Sequence, residues 1–253
     1  MSDPQPTGDF TWTQEPWGRA LRCTRIAAPH LFSSRDLVLR EEPGEWAAVA
    51  ASLGVAPDRL RLVKQVHGIH VIVARRGEAV PAERPQADII VTDDPSIAIG
   101  VRVADCAPVL LYDVAKGAAG AAHAGWRGTA AGAAAAAVRA MQQAFGSHVS
   151  DLVAAIGPCL GACCGEVGPE VVEAFRAGGA APASVDAWFT AGAGDRSFLD
   201  LERANRDQLQ DAGLHPDTIF SSGLCTKTHR ARLHSYRGDR DAAGRMVAAI
   251  RVA

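Results

Sequence analysis

Cys106 stands between two histidines, each of the three inside a short motif: Gln65-Val66-His67-Gly68, Ala104-Asp105-Cys106-Ala107-Pro108 and Ala122-His123-Ala124-Gly125-Trp126-Arg127-Gly128. The separations, 106 − 67 = 39 and 123 − 106 = 17 residues, are too long for a compact zinc finger and suit ligands gathered by a fold. Two imidazoles and a thiolate leave one tetrahedral position open, which is the arrangement of catalytic rather than structural zinc. Zn2+ held by such a set keeps a local charge of about +1, enough to bind phosphate or to lower the pKa of bound water. Taken singly, His67 reads as a turn histidine and Cys106 as a buried small hydrophobe. Together, inside three motifs, they read as metal ligands.

Strands must carry these groups. Ile97–Val103 and Val109–Asp113 are predicted strands with Asp105 and Cys106 in the turn between them, and Gly120–His123 is a third. Leu60–Val73 reads as a strand carrying His67 near a bend at Gly68. Ile89–Thr92 and Leu152–Ile156 read as further strands, with Ile219–Leu224 and Ile250–Val252 weaker. Alanine-rich Thr129–Phe145 is predicted helical with Thr129 as its cap. Its N-terminus would then face the His123 loop and, with Arg127, welcome an anion. Arg127 could instead only cover Trp126. Asp105 could shuttle protons, brace a ligand or shape a turn. Other predicted helices span Glu41–Leu53, Pro169–Ala177 and Leu199–Ala212. Residues 1–20 read as an extended tail packing through Trp12 and Trp17, ahead of one domain over 21–253.

The bulk properties narrow the partners. At 253 residues and 48% hydrophobic, the chain can bury a large core. A net charge of −2 offers no broad attraction to nucleic acid or acidic membranes, so any basic site is local and small molecules are the expected partners. No secretory signal or bilayer-spanning stretch is evident, and six cysteines without a signal point to reduced thiols in the cytoplasm. Cys159, Cys163 and Cys164 read as free thiols in a loop. No Gly-x-Gly-x-x-Gly or Walker-type loop appears. Strands and helices alternate without a strict βαβ rhythm, so the expected class is α/β (α+β-like), with mixed β-sheets flanked by helices.

The motifs holding His67, Cys106 and His123, with Gly157-Pro158, His234-Ser235-Tyr236-Arg237 and Ala243-Gly244-Arg245-Met246, resemble the bacterial YfiH family, also called the laccase-domain or polyphenol oxidase family. The resemblance runs from about Arg61 onward. It implies a YfiH-type fold similar to the catalytic domain of a bacterial deamidase toxin, with His67, Cys106 and His123 as zinc ligands. It also implies phosphorolysis of adenosine, inosine, guanosine and methylthioadenosine, and deamination of adenosine, so purine nucleosides and phosphate are the expected substrates. Phe32-Ser33-Ser34-Arg35 looks like the family's Phe-Thr-Thr-Arg, but the Gly-Gly and Ser-Leu-Asn-Leu stretches after it are missing or shortened to Asp36-Leu37-Val38-Leu39. Arg35 is a candidate anion contact. Ser235, Tyr236 and Arg237 either line the substrate site or pack as an ordinary strand.

Two other enzymatic readings stay open. Older descriptions of the family as copper-dependent phenol oxidases suggest Cu2+ in place of Zn2+, yet a multicopper laccase needs roughly ten histidines in His-x-His pairs. This chain has 8 histidines and no such pair. A metal-free cysteine hydrolase would use Cys106 as nucleophile and His123 as base. A binding or sensing role without turnover is a further, non-enzymatic possibility.

Overall fold

Ala107–Asp113 and Ala118–Ala124 are apolar with almost no polar alternation, and all their residues are buried. Strands covered on both faces are built this way. The computed structural model describes residues 3–40, 42–78 and 83–253 and places these two strands at the centre of a layered α/β arrangement.

One six-stranded sheet contains β1 (Phe10–Glu15), β2 (Gly18–Cys23), β3 (His30–Ser33), β4 (Leu60–Leu62), β7 (Ala98–Val103) and β15 (Met246–Arg251) in the order β1-β2-β3-β15-β7-β4. The other contains β5 (Val71–Ala74), β6 (Ile89–Thr92), β8 (Ala107–Asp113), β9 (Ala118–Ala124), β10 (Leu152–Ile156) and β14 (Ile219–Ser221) in the order β14-β10-β8-β9-β6-β5. Both sheets are mixed: β4 with β7, β5 with β6 and β10 with β14 run parallel, the rest antiparallel. A small sheet of β11 (Glu166–Val167), β12 (Phe189–Ala191) and β13 (Ser197–Leu199) stands apart. The helices are α1 (Pro43–Ser52), α2 (Trp126–Ala130), α3 (Ala133–Phe145), α4 (Pro169–Ala177), α5 (Pro182–Trp188), α6 (Leu201–Asp211) and α7 (Tyr236–Asp239).

Alternate residues of one strand serve different layers. Leu110 and Ala121 join Ile99, Val101 and Ile250 in a core between the two large sheets. Leu111 and Ala122 face the other way and pack with Met141 of α3 and Leu209 of α6. A third cluster of Leu31, Val49, Leu53 and Val247 seats α1 on the outer face of the first sheet. Each fully buried Leu or Ile here contributes about 1.5–3 kcal/mol. Among the described residues, no helix is long and apolar enough to cross a membrane.

Several expected elements are redrawn. From Phe10 on, the segment read as a tail is a hairpin of β1 and β2, because Phe10 can enter the core while Thr11 and Thr13 sit at its edge. Trp12 and Trp17 do anchor it, the first donating to the Pro4 carbonyl at 2.8 Å and the second to Ser52 at 2.9 Å. Leu60–Val73 is not one strand but two, β4 and β5, which belong to different sheets, and His67 lies in the crossover. The helix expected over Thr129–Phe145 is broken at Gly132, whose φ of +83° suits glycine. Thr129 therefore caps nothing. It lies inside α2, buried, where its hydroxyl accepts from Asn205 at 3.0 Å and its carbonyl from Gln208 at 2.6 Å. Pro169–Ala177 and Leu152–Ile156 match their predicted bounds.

Candidate metal centre

The antiparallel register of β8 and β9 pairs Pro108 with His123 and Ala107 with Ala124, so Cys106, one residue before β8, lies beside the end of β9. The crossover from β4 to β5 brings His67 to the same place. The ligating atoms of His67, Cys106 and His123 all lie within 4.8 Å of one another, and the two imidazole rings meet edge to face with centroids 4.8 Å apart. Gly125 makes the meeting possible: a Cβ there would stand 2.7 Å from Cys106 Sγ and 3.1 Å from His67 Cδ2. Any side chain at 125 would occupy the room the ligands need.

Asp88, which sequence reasoning missed, organises the set. Its carboxylate is fully buried and accepts from the backbone N–H groups of Val66 at 3.2 Å, His67 at 2.9 Å and Gly68 at 2.7 Å, and from His123 Nδ1 at 2.7 Å. One side chain thus fixes the loop that presents His67, holding it at a φ of +62°, and the ring orientation of His123. With Nδ1 bonded to Asp88, Nε2 is the nitrogen left to ligate, as in carboxylate–histidine–metal arrangements. Gln65 adds a second tether. Its side chain donates to the Arg102 carbonyl at 2.7 Å and accepts the Arg102 N–H at 2.8 Å, imitating a strand partner beyond the end of β4. An acidic residue placed directly before the apolar run Ile89-Ile90-Val91 was the available signal for Asp88, because a buried strand rarely opens on an unpartnered charge.

The charges are coupled. Burial pushes the Asp88 carboxyl up, but the His123 ring and the N–H groups of Gly68 and Val66 more than offset this and hold it below the usual carboxylate range. Burial likewise raises the Cys106 thiol, while hydrogen bonding and positive charge from His123, then His67, bring it down to about 6. His123, though desolvated, is raised to about 9 by Asp88 and Cys106. Without a cation, these groups therefore form a thiolate–imidazolium pair at neutral pH. A soft or borderline cation replaces that proton directly, so the donor set fits Zn2+ or a similar ion.

The other expected residues divide. Arg127, Tyr236 and Arg237 line a cleft of about 1020 Å³ with the triad in its wall, and so does Asp105. Arg127 lies 4.1 Å over the Trp126 ring. It belongs to α2, a single five-residue turn capped by Gly125, and the longer α3 begins only at Ala133, so the helix dipole expected at the site is short. Asp105, at a φ of +87°, accepts from Thr226 Oγ1 at 2.6 Å and from the Arg237 backbone N–H at 2.5 Å, joining the Cys106 turn to the segment before β15. Arg35 is not brought to the cleft: it bonds the Arg230 carbonyl and pairs with Asp239 at 3.4 Å. Ser235 is fully buried and caps α7, accepting from Gly238 N at 3.1 Å. Six arginines and Lys64 line the cleft against Asp105 and Asp241, a local excess of positive charge on a chain of net charge −2. All six cysteines are free.

Known proteins resemble the chain in sequence and in fold. Residues 44–253 match the family model described as multi-copper polyphenol oxidoreductase laccase. The chain is 34% identical to a purine nucleoside phosphorylase of Deinococcus radiodurans, over 91% of each protein. It is 36% identical to one of Streptomyces coelicolor, over 79% of this chain and 80% of that protein. An adenosine deaminase from an unknown prokaryotic organism is 35% identical over 75% and 73%. The crystal structure of YlmD from Geobacillus stearothermophilus superposes with a TM-score of 0.82 at 28% identity, covering 95% of this chain and 98% of that one. The YfiH structure from Bacillus licheniformis gives 0.82 at 28%, covering 88% and 92%. With its family model matched over most of the sequence and its sheets and helices shared with these structures, the chain belongs to the YfiH-type laccase-domain family.

Proposed function

We propose that this chain is a zinc-dependent enzyme of purine nucleosides, catalysing phosphorolysis of adenosine, inosine, guanosine and methylthioadenosine and hydrolytic deamination of adenosine in the cytoplasm. One observation carries the reading: a two-histidine, one-thiolate donor set braced by buried Asp88 opens onto a cleft rich in arginine. The relatives' names supply the substrate class. His67, Cys106 and His123 would hold the ion, which when bound supplies a Lewis acid and lowers the pKa of a bound water.

The chain's own residues supply binding and orientation. In phosphorolysis a phosphate oxygen bonds to ribose C1′ as the C1′–N9 bond breaks, so the anion must be held in line with the sugar. Arg127, stiffened against Trp126, is suited to grip it, with Arg237 and the other cleft arginines nearby. The half-exposed Tyr236 ring offers a face for the purine. Of the roles open to Asp105, we favour positioning: its hydrogen bonds to Thr226 and Arg237 set the cleft wall that carries Tyr236.

A second reading has its own observation. Cys106, His123 and Asp88 also stand in nucleophile–base–orienter relation, the arrangement a metal-free cysteine hydrolase needs. Copper phenol oxidation is less favoured: among the described residues one metal-capable group contains histidine, and Met141 and Met246 are buried in the cores. The test is turnover of the four nucleosides, with and without phosphate, alongside metal content. Zinc-dependent turnover, lost on chelation and in Cys106→Ala together with the zinc, is expected. Full activity after complete chelation would replace the first reading by the second, and phenol oxidation without nucleoside turnover would overturn both.

A further inference from the structure

The fold gathers a second set of soft donors that the triad does not use. Cys163 and Cys164, in the loop between β10 and β11, meet Cys225, which follows β14; their sulfurs all lie within 4.8 Å of one another. Cys163 and Cys164 Sγ are 3.6 Å apart, and Thr228 Oγ1 lies 3.4 Å from the first and 3.6 Å from the second. Sulfurs around one tetrahedral ion with bonds of about 2.3 Å stand about 3.8 Å apart, so the thiols need only small rotations to share a cation.

We propose that Cys163, Cys164 and Cys225 form a second metal site, taking a thiophilic d10 cation such as Zn2+ or Cu+. Three sulfur donors and no carboxylate select that class over Mg2+, Ca2+ or Mn2+. Access and anchoring both suit it. Cys163 is exposed and Cys164 half-buried, giving the ion a way in, while buried Cys225 fixes the floor. Gly161 is close-set here, since a Cβ on it would stand 3.1 Å from Cys225 Cβ and 3.6 Å from the sulfurs of Cys163 and Cys225. Loading releases the thiol protons to solvent. The ion would staple two loops that both bond Asp105, through the Leu160 N–H and the Thr226 hydroxyl.

Cadmium is the probe, added in excess to reduced protein under anaerobic conditions, with metal content and thiolate-to-cadmium absorption read after desalting. Wild type is expected to retain two ions per chain. Cys106→Ala should retain one, with the absorption of three thiolates; Cys163→Ser combined with Cys164→Ser should also retain one, with the absorption of a single thiolate. The double variant alters an exposed loop, so it keeps the test open should Cys225→Ser fail to fold. A single ion in wild type would overturn the proposal, as would a second ion that survives the double substitution. A disulfide to Cys225 that persists in the reduced protein would overturn it too.

Discussion

Replacing Asp88 by asparagine isolates the residue that holds the metal centre together. The carboxylate offers two oxygens to four N–H donors: Oδ1 to His67 N and His123 Nδ1, Oδ2 to Gly68 N and Val66 N. An amide keeps one oxygen and turns an NH2 toward the other pair, so two accepted hydrogen bonds are lost in a buried place whichever way it is oriented. At about 1.5 kcal/mol for each bond to a charged group, the lower end of the range, the metal-free protein loses about 3 kcal/mol. Unfolding entropy of about 2.1 cal/mol/K per residue over 253 residues turns this into a Tm lower by about 6 °C. Metal affinity should fall about 10- to 100-fold, because His123 loses the carboxylate charge that orients its ring and raises its basicity. Calorimetry on the metal-free protein and competition against a chromophoric chelator measure the two effects. There is also a pH signature. The folded pKa of Asp88 lies below its unfolded value, so its contribution is complete above the ordinary carboxylate range and is lost as pH falls through the folded value. Asp88→Asn should flatten that acid limb. A variant with wild-type Tm, acid limb and metal affinity would refute the assignment of Asp88 as organiser of the site.

Gly125→Ala replaces no ligand, yet its methyl would stand 2.7 Å from Cys106 Sγ; overpacking of about 1–3 kcal/mol should appear as metal affinity weakened about 10-fold or more, and chelator competition at the wild-type value would count against the steric role. In the metal-free protein, alkylation of Cys106 followed by mass spectrometry should accelerate through about pH 6, where the thiolate forms beside His123, and added Zn2+ should protect it. A profile centred near the ordinary thiol value of about 8.5 would refute the ion pair. Arg127→Ala should lower phosphorolysis, read as kcat/KM for phosphate, by about 10- to 100-fold, the loss of one charged contact of about 1.5–3 kcal/mol, and leave deamination closer to wild type. Equal losses in both reactions would place Arg127 on the nucleoside instead.

The central strands were legible because burial on both faces writes a continuous apolar run, as in Val109–Leu111 and Ala119–Ala122. The edge was not. Phe10–Glu15 alternates among threonines next to proline and glycine, and only pairing with β2 makes it a strand. Alanine's helix propensity concealed the break at Gly132, where a positive φ outranks it. The three ligands could be named from their motifs, since ligand type and spacing are chemical facts about the sequence. Asp88 could not, because its four partners are 20 to 22 residues and 35 residues away, and only the fold makes them neighbours. Ser235 and Arg35 carried the right chemistry for a substrate contact, but their hydrogen bonds go to α7 and to the segment before it.

β15 sits between β3 and β7, although it follows both by a long stretch of chain. Residues 10–33 form a meander of their own and β4 lies along β7, and among the described residues β15 is the strand whose hydrogen bonds join these two pieces of sheet. Gln65 hangs the His67 loop on the β7 side of that join. Clipping a few residues from β15 would therefore split the sheet through its middle instead of trimming a rim, cutting the β7 side that carries Gln65 off from the meander.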